Sequence, residues 1–351
     1  MSKRYGVVRT DRLGDVILTL PTASAIKRAE PDAEVFFVVR RYAAPLLRGN
    51  PFVDRVVVAE DLFEGTGLWE RVRRIRALRL DVAFLVYPRF ALASAFRLAG
   101  VPVRVGSGYR WYSFLFNRKV YEHRKDAKRH ELEYNLALLE RVGVPVETGV
   151  DNVEFGLRPA PDAVESVRRI LAERGVEEGA ALIGMHPGSG GSAADLPIER
   201  FATLARRVAE SLPVRVVVTG AEGERPLAAR LAETSNRAID LAGALSLSEL
   251  VALIDGCAVF VANSTGPLHI AAALGKAVVG FYPTFAAASK ERWGPYGSKR
   301  AVLEPTSEGE GAERDMASVD LDAAFVEIEK FYNLSEFHRD KESSRQSGLS
   351  E

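Results

Sequence analysis

Val259-Phe-Val-Ala-Asn-Ser-Thr-Gly-Pro-Leu-His-Ile-Ala-Ala-Ala-Leu-Gly-Lys-Ala-Val-Val-Gly-Phe-Tyr-Pro283 is the stretch whose reading decides the fold. Ala258 to Ala262 is short, apolar and rich in β-branched residues, as a buried strand is. Asn263, Ser264 and Thr265 can each cap a helix. Gly266 lets a ligand approach the backbone, and Pro267 suits a first helical turn, where its missing N–H costs nothing. Leu268 to Leu274 then reads as a helix stopped by Gly275, and Ala277 to Tyr282 as a second buried strand ending at Pro283. A strand–turn–helix–strand unit with a polar, glycine-containing helix start is where an open α/β sheet binds an anion.

The same alternation extends through the chain. Strands are expected at Tyr5–Arg9, Glu34–Val39, Arg55–Val58 and Val82–Val86, with helices at 16–29, 41–47 and 69–78. It restarts after a helix at 159–174, with strands at 180–185, 214–219 and 238–241. Strands separated by helices imply parallel sheets covered on both faces. The expected class is α/β, with a first Rossmann-like domain over residues 1–156 and a second over 157–318. A last amphipathic helix is expected at 319–333 and a polar, disordered tail at 334–351. Residues 106–128 break the rhythm: Ser107-Gly-Tyr-Arg-Trp-Tyr-Ser-Phe-Leu-Phe-Asn-Arg-Lys119 is aromatic and basic. It reads either as an acceptor-binding or membrane-touching loop, through cations such as Arg110 and Arg118, or as an ordinary packed hairpin.

With 351 residues, 47% apolar and 27% charged, the chain has an ordinary globular composition and suits two domains. No apolar run approaches the ~20 residues of a spanning helix, and the N-terminus lacks a signal-peptide pattern, so a cytoplasmic protein is expected. The single Cys257 excludes an internal disulfide or thiolate cluster and reads as a core residue. Zero net charge hides an asymmetry: residues 1–150 carry 26 Lys+Arg against 17 Asp+Glu. A basic half suggests an anionic partner, either a phosphorylated substrate or a membrane surface. Without a nucleic-acid-binding motif, nucleic acid is not expected.

Four segments sit where strands end and helices begin. Thr10 to Asp15 offers Asp15 as a general base, with an N-cap as its plainer role and Asp11 as a weaker rival. His186-Pro-Gly-Ser-Gly-Gly-Ser192 offers a nest of backbone N–H groups for phosphate. Its Gly188-x-Gly190-x-x-Ala193 matches a dinucleotide fingerprint only formally, which leaves an NAD-dependent oxidoreductase a remote alternative. Thr219-Gly-Ala-Glu-Gly-Glu224 carries carboxylates that could take sugar hydroxyls. The opening stretch adds His269, one turn into its helix. No nucleophile elbow occurs, and no carboxylate pair or histidine cluster suggests a metal, so no cofactor beyond a co-substrate is expected.

Together and in order, these segments resemble the heptosyltransferase family, glycosyltransferase family nine. The markers are Arg9-Thr-Asp-Arg-Leu-Gly-Asp-Val16, His130-Glu-Leu-Glu-Tyr-Asn135, His186 to Ser192, Ser264 to Gly275, Tyr282-Pro283 and Arg292-Trp-Gly-Pro-Tyr-Gly297. The resemblance implies a GT-B fold, two facing Rossmann-like domains with the active site in the cleft and a last helix crossing back to the first domain. It implies inverting, metal-independent transfer of heptose from ADP-heptose to a lipopolysaccharide precursor at the cytoplasmic face of the inner membrane. Asp15 would be the general base. Ser189, Gly190, Ser192, Ser264, Thr265, Gly266 and His269 would hold the donor diphosphate, Glu224 its nucleoside hydroxyls and Leu245 its adenine. Arg12, Arg110 and Arg118 would meet the acceptor. Two positions depart from the family pattern: Ala194 replaces a lysine and Ser264 an aspartate. Arg12 or Arg292 would then have to supply the charge that the lysine gives to the leaving group. The competing reading is a relative that binds a nucleotide sugar without transferring it.

Overall fold

The computed structural model describes residues 2–191 and 193–347 and divides into two compact units, Met1–Arg158 and Pro159–Glu351. In the first unit the strands are β1 (Arg4–Val8), β2 (Glu34–Val39), β3 (Arg55–Val58), β4 (Val82–Leu85), β5 (Val103–Ser107) and β6 (Arg118–Val120). Its helices are α1 (Leu13–Ile17), α2 (Pro21–Ala29), α3 (Ala59–Phe63), α4 (Leu68–Ala77), α5 (Phe90–Leu98) and α6 (Glu131–Glu140). The sheet runs β3-β2-β1-β4-β5-β6, with every pair parallel. Chain direction across the sheet reverses between β1 and β4, and an α/β sheet opens its binding crevice at such a point, beyond the strands' carboxyl ends.

The second unit contains α7 (Pro161–Glu173), β7 (Leu182–His186), α8 (Ile198–Ser211), β8 (Arg215–Val218), α9 (Arg225–Ala232), β9 (Ala238–Asp240) and α10 (Leu247–Gly256). It continues with β10 (Val259–Asn263), α11 (Gly266–Ala273), β11 (Ala277–Phe281), α12 (Lys290–Trp293), β12 (Arg300–Leu303) and α13 (Leu321–Ser347). Its parallel sheet, β12-β11-β10-β7-β8-β9, repeats the first unit's order strand for strand, with the switch point between β7 and β10. Val259, Val261, Val279 and Phe281 from one face of this sheet pack against Phe201, Leu204 and Val208 of α8 in one apolar core. A capping box opens α10: the Ser246 hydroxyl accepts from Glu249 N–H, and the Glu249 carboxylate accepts from Ser246 N–H at 2.7 Å.

Three expectations change. The single helix expected over 16–29 is two, because Pro21 has no N–H for the carbonyl four residues back and starts α2 instead. The 106–128 segment is not a hairpin: Val105 pairs Arg118 in parallel, so the chain between them is a crossover. The last helix does not stop at 333. It runs to Ser347, and no glycine or proline interrupts the sequence between Leu321 and Gly348, so residues 334–347 are helical where a disordered tail was expected. Phe325, Ile328, Phe331 and Tyr332 of that helix join the second unit's core. Among the described residues no helix is long and apolar enough to cross a membrane.

Candidate active site

At the carboxyl end of β1 the chain buries an arginine. Arg9 is 3% exposed and is ringed by three carboxylates. Its Nε donates to Asp11 Oδ1 at 2.7 Å, its Nη2 donates to Asp15 Oδ1, and Glu131 Oε1 stands 3.6 Å from Nη1. Burying a guanidinium is costly unless it is paired and hydrogen-bonded, and this arrangement provides both. A second cation, Arg124, pairs with Glu131 and donates to Asn135 Oδ1 at 3.0 Å. Asn135 closes the cluster. Its Oδ1 also accepts from Arg9, and its amide donates to Leu18 O at 3.0 Å and Thr19 Oγ1 at 3.1 Å. Leu18 lies in the break between α1 and α2, where carbonyls have lost their helical partners. The break created by Pro21 is therefore sealed by a side chain from α6.

Asp15 lies within the first turn of α1, not at its cap, which is Arg12. Burial pushes its carboxyl up to about 6. Arg9 opposes that shift, while the neighbouring Asp11 and Glu131 carboxylates reinforce it. A carboxylate with its pKa near neutrality can accept a proton at physiological pH and release it again. Asp11 is committed elsewhere: its carboxylate takes Arg9 Nε and its carbonyl accepts from the Tyr42 hydroxyl at 2.5 Å. Arg12 is exposed beside this cluster. Arg110 and Arg118 lie away from it, Arg110 on the crossover that leaves β5 and Arg118 at the start of β6, three strands beyond β1.

In the second unit, three turns converge at the carboxyl ends of the adjacent strands β8, β7 and β10. The turn after β7 contains Gly190 and Gly191 at φ +57° and +73°, a left-handed pair that side chains resist. Successive N–H groups in such a turn form an anion-binding concavity. Glu224 from the turn after β8 holds it: Oε1 accepts from Gly190 N–H at 3.2 Å and Oε2 from Ala221 N–H at 2.8 Å. Gly188 makes room, since a Cβ there would lie 2.0 Å from Glu224 Oε1. Asn263, fully buried at the end of β10, ties both ends of the loop: its amide donates to Pro187 O at 2.6 Å and its oxygen accepts from Leu196 N–H at 3.0 Å. Thr265 is the N-cap residue of α11, and the Ser264 hydroxyl is hydrogen-bonded to the buried Tyr282 phenol, whose pKa burial drives up.

Ser189 is 8% exposed and His269 5% exposed, while Ser264, Thr265, Gly266 and Leu245 are half-buried. Ser192 lies outside the described residues. Burial pushes His186 down to about 4, against the pull of Glu224, so its imidazole brings no positive charge to the loop at neutral pH. Its Nδ1 shares a 2.9 Å hydrogen bond with Thr219 Oγ1. Arg292 lies over the Trp293 ring at 4.8 Å.

Sequence reasoning missed Arg9, Glu131, Arg124 and Asn263 as parts of these sites. The signal for the first two was present. An arginine closing an apolar strand needs acids, and His130-Glu-Leu-Glu-Tyr-Asn135 supplies one on a helix with no other evident task.

The model of glycosyltransferase family 9 (heptosyltransferase) matches residues 69–321 of the chain. A candidate glycosyltransferase of Haemophilus influenzae is 28% identical over 93% of this chain and 95% of its own length. Lipopolysaccharide heptosyltransferase 2 of Salmonella typhimurium is 27% identical over 79% of this chain and 81% of its own. The solved ADP-heptose lipopolysaccharide heptosyltransferase II of Escherichia coli shares the fold, the GT-B class, with a TM-score of 0.78 at 21% identity, covering 95% of this chain and 99% of that one.

Proposed function

Because the chain belongs to glycosyltransferase family 9, we propose that this enzyme moves a heptose from ADP-heptose to a lipopolysaccharide core or related envelope saccharide, with inversion and without a metal. The names of its relatives supply the donor and acceptor classes. The observation that carries the chemistry is Asp15, half-buried at the first unit's switch point, with its pKa raised to about 6. On this reading Asp15 takes the proton of an acceptor hydroxyl as that oxygen bonds to the anomeric carbon. The bond from that carbon to the diphosphate oxygen breaks on the opposite face, and ADP leaves with the electron pair. Arg9 is a positioning residue, holding the carboxylate in one orientation.

The donor falls to the second unit. Ser189, Gly190 and the Thr265–Gly266 helix start hold the diphosphate, with His269 adding a donor. Glu224 meets the nucleoside hydroxyls, Leu245 the adenine, and Ser192 and Ser264 complete the donor set. Arg12 or Arg292 supplies the charge that Ala194 lacks, and Arg12 also meets the acceptor. The work takes place at the cytoplasmic face of the inner membrane, through peripheral contact by the basic first unit, with no role for nucleic acid.

A thermal-shift panel combined with a transfer assay tests this reading. ADP-heptose is expected to raise the melting temperature more than UDP- or GDP-sugars do. Transfer is expected to survive EDTA and to vanish in Asp15→Asn, which still responds thermally to ADP-heptose. Full turnover by Asp15→Asn removes the base assignment, and stronger stabilisation by another nucleotide sugar changes the donor.

A further inference from the structure

We infer that the β5–β6 crossover is a docking surface for an anionic lipid bilayer. It presents exposed rings framed by arginines that form no ion pair among the described residues.

The crossover sorts its side chains into two sets. Tyr112, Leu115 and Phe116 turn inward and join the core. Trp111 and Phe114, beside them in sequence, remain 74% and 67% exposed. Leaving a Trp and a Phe in water forgoes the free energy of burying them, and single rings are common enough on surfaces to need no explanation. Trp111 is not single, and a second exposed pair lies on the same segment. Trp111 stacks on the exposed Phe90 with ring centroids 4.9 Å apart, and Tyr109 meets the exposed Tyr121 at 5.6 Å.

The segment is held from beneath. The Tyr112 hydroxyl donates to Pro88 O at 2.6 Å, Arg104 Nε donates to Leu115 O at 2.9 Å, and the Asn117 amide donates to Pro102 O at 2.7 Å. Preordered rings lose little conformational entropy on docking.

Charge identifies the occupant. From residue 82 to residue 121 the chain carries six Lys and Arg and no Asp or Glu. Arg89, Arg110 and Arg118 are exposed, and among the described residues none of them forms an ion pair. Aromatic rings with an apolar body, interleaved with arginines and free of acids, match the headgroup region of an anionic bilayer. A protein partner's interface would also bury rings, but nothing in the patch asks for a cation across it. The inference gives a location to the peripheral contact in the functional reading above and rests on that reading for its purpose. Its test does not.

Purified full-length protein is mixed with phosphatidylglycerol-containing vesicles, or with phosphatidylcholine vesicles, free of any glycolipid acceptor, and the bound fraction is measured by flotation. Binding to the anionic vesicles is expected, falling as salt rises. Trp111→Ser with Phe114→Ser, and separately Arg110→Glu with Arg118→Glu, are each expected to weaken it about tenfold or more. Trp69→Ser, which removes an equally exposed ring outside the patch, is expected to leave it unchanged. Circular dichroism and melting temperature establish that each variant is folded.

Equal binding by the patch variants and the parent overturns the inference. So does an absence of binding to anionic vesicles at low salt. Retention on heparin combined with no vesicle binding reassigns the patch to an acidic macromolecule. A concentration-dependent dimer lost in the ring variants, again without vesicle binding, reassigns it to a second copy. Transferase failure with intact vesicle binding leaves this inference standing and removes only the functional reading.

Discussion

The two units share one strand order and use its switch point in opposite ways. In the first, the carboxyl end of the central strand is a knot of charge: one buried arginine, three carboxylates and an amide crosslink. In the second, the equivalent position is nearly neutral backbone, two left-handed glycines held in shape by Glu224 and Asn263. A buried charge cluster can tune a proton-accepting group, and an exposed ladder of N–H groups can receive an anion. One topology thus supplies an acid–base site and an anion cradle, and only the loops differ.

This contrast can be broken most severely at Asp15. Asp15→Asn is expected to cut kcat by about 10²–10⁴-fold, the range for loss of a general base, with little change in donor affinity. Since the carboxylate form is the base, kcat/KM in the parent enzyme is expected to fall below about pH 6. The sign for stability runs the other way. A folded pKa raised above the ordinary carboxyl value gives stability that is present in acid and is lost as pH rises through about 6. Asp15→Asn is therefore expected to be at least as stable as the parent at pH 7.5, measured by urea unfolding. Destabilisation there would make Asp15 a structural ion-pair member, not a tuned base.

Arg9→Met tests the other side of the knot. It strands three carboxylates around an apolar side chain, and about 3–5 kcal/mol of stability at neutral pH is expected to be lost. In the second unit, Asn263→Ala removes no charge. It leaves Leu196 N–H and Pro187 C=O without their buried partner, an expected cost of about 2–4 kcal/mol with a higher KM for the donor. Gly190→Ala is the mildest change. Nothing stands within 4 Å of the added Cβ, so the φ of +57° alone sets a cost of about 1 kcal/mol. A loss there greater than that at Asn263 would mean that the cradle depends on backbone shape more than on its side-chain tie.

The second unit was the easier half to read from sequence. Its strand–turn–helix runs are local, and Ser264 to Gly275 contains its own caps and stops. The first unit's site was not local. Arg9 and Asn135 meet across 126 positions, and only the folded sheet places α6 over the break after α1. Asp15 could be picked out as a carboxylate at a strand end, but its environment could not. Pro21 marks that break in plain sight, although the 16–29 stretch reads as one helix. The crossover at 108–117 misled for a related reason: two short strands joined by few residues suggest a hairpin, and parallel pairing became visible only through the register of Val105 with Arg118. Glu224 was singled out for ligand contact, and each of its oxygens also accepts one backbone N–H of the protein, with further lone pairs left for a ligand.

The boundary after Arg158 also has a meaning in time. Among the described residues no strand pair crosses it, so the first sheet is complete, with α6 sealing it, before any strand of the second is synthesised. With 193 of 351 residues still to come, at a ribosomal rate of about 5–20 residues per second, the first unit has roughly 10–40 s alone. That interval is long against the milliseconds to seconds in which sheets of this kind form. The costly burial of Arg9 among its acids can therefore be finished while the competing carboxylates of the more acidic half are still unmade.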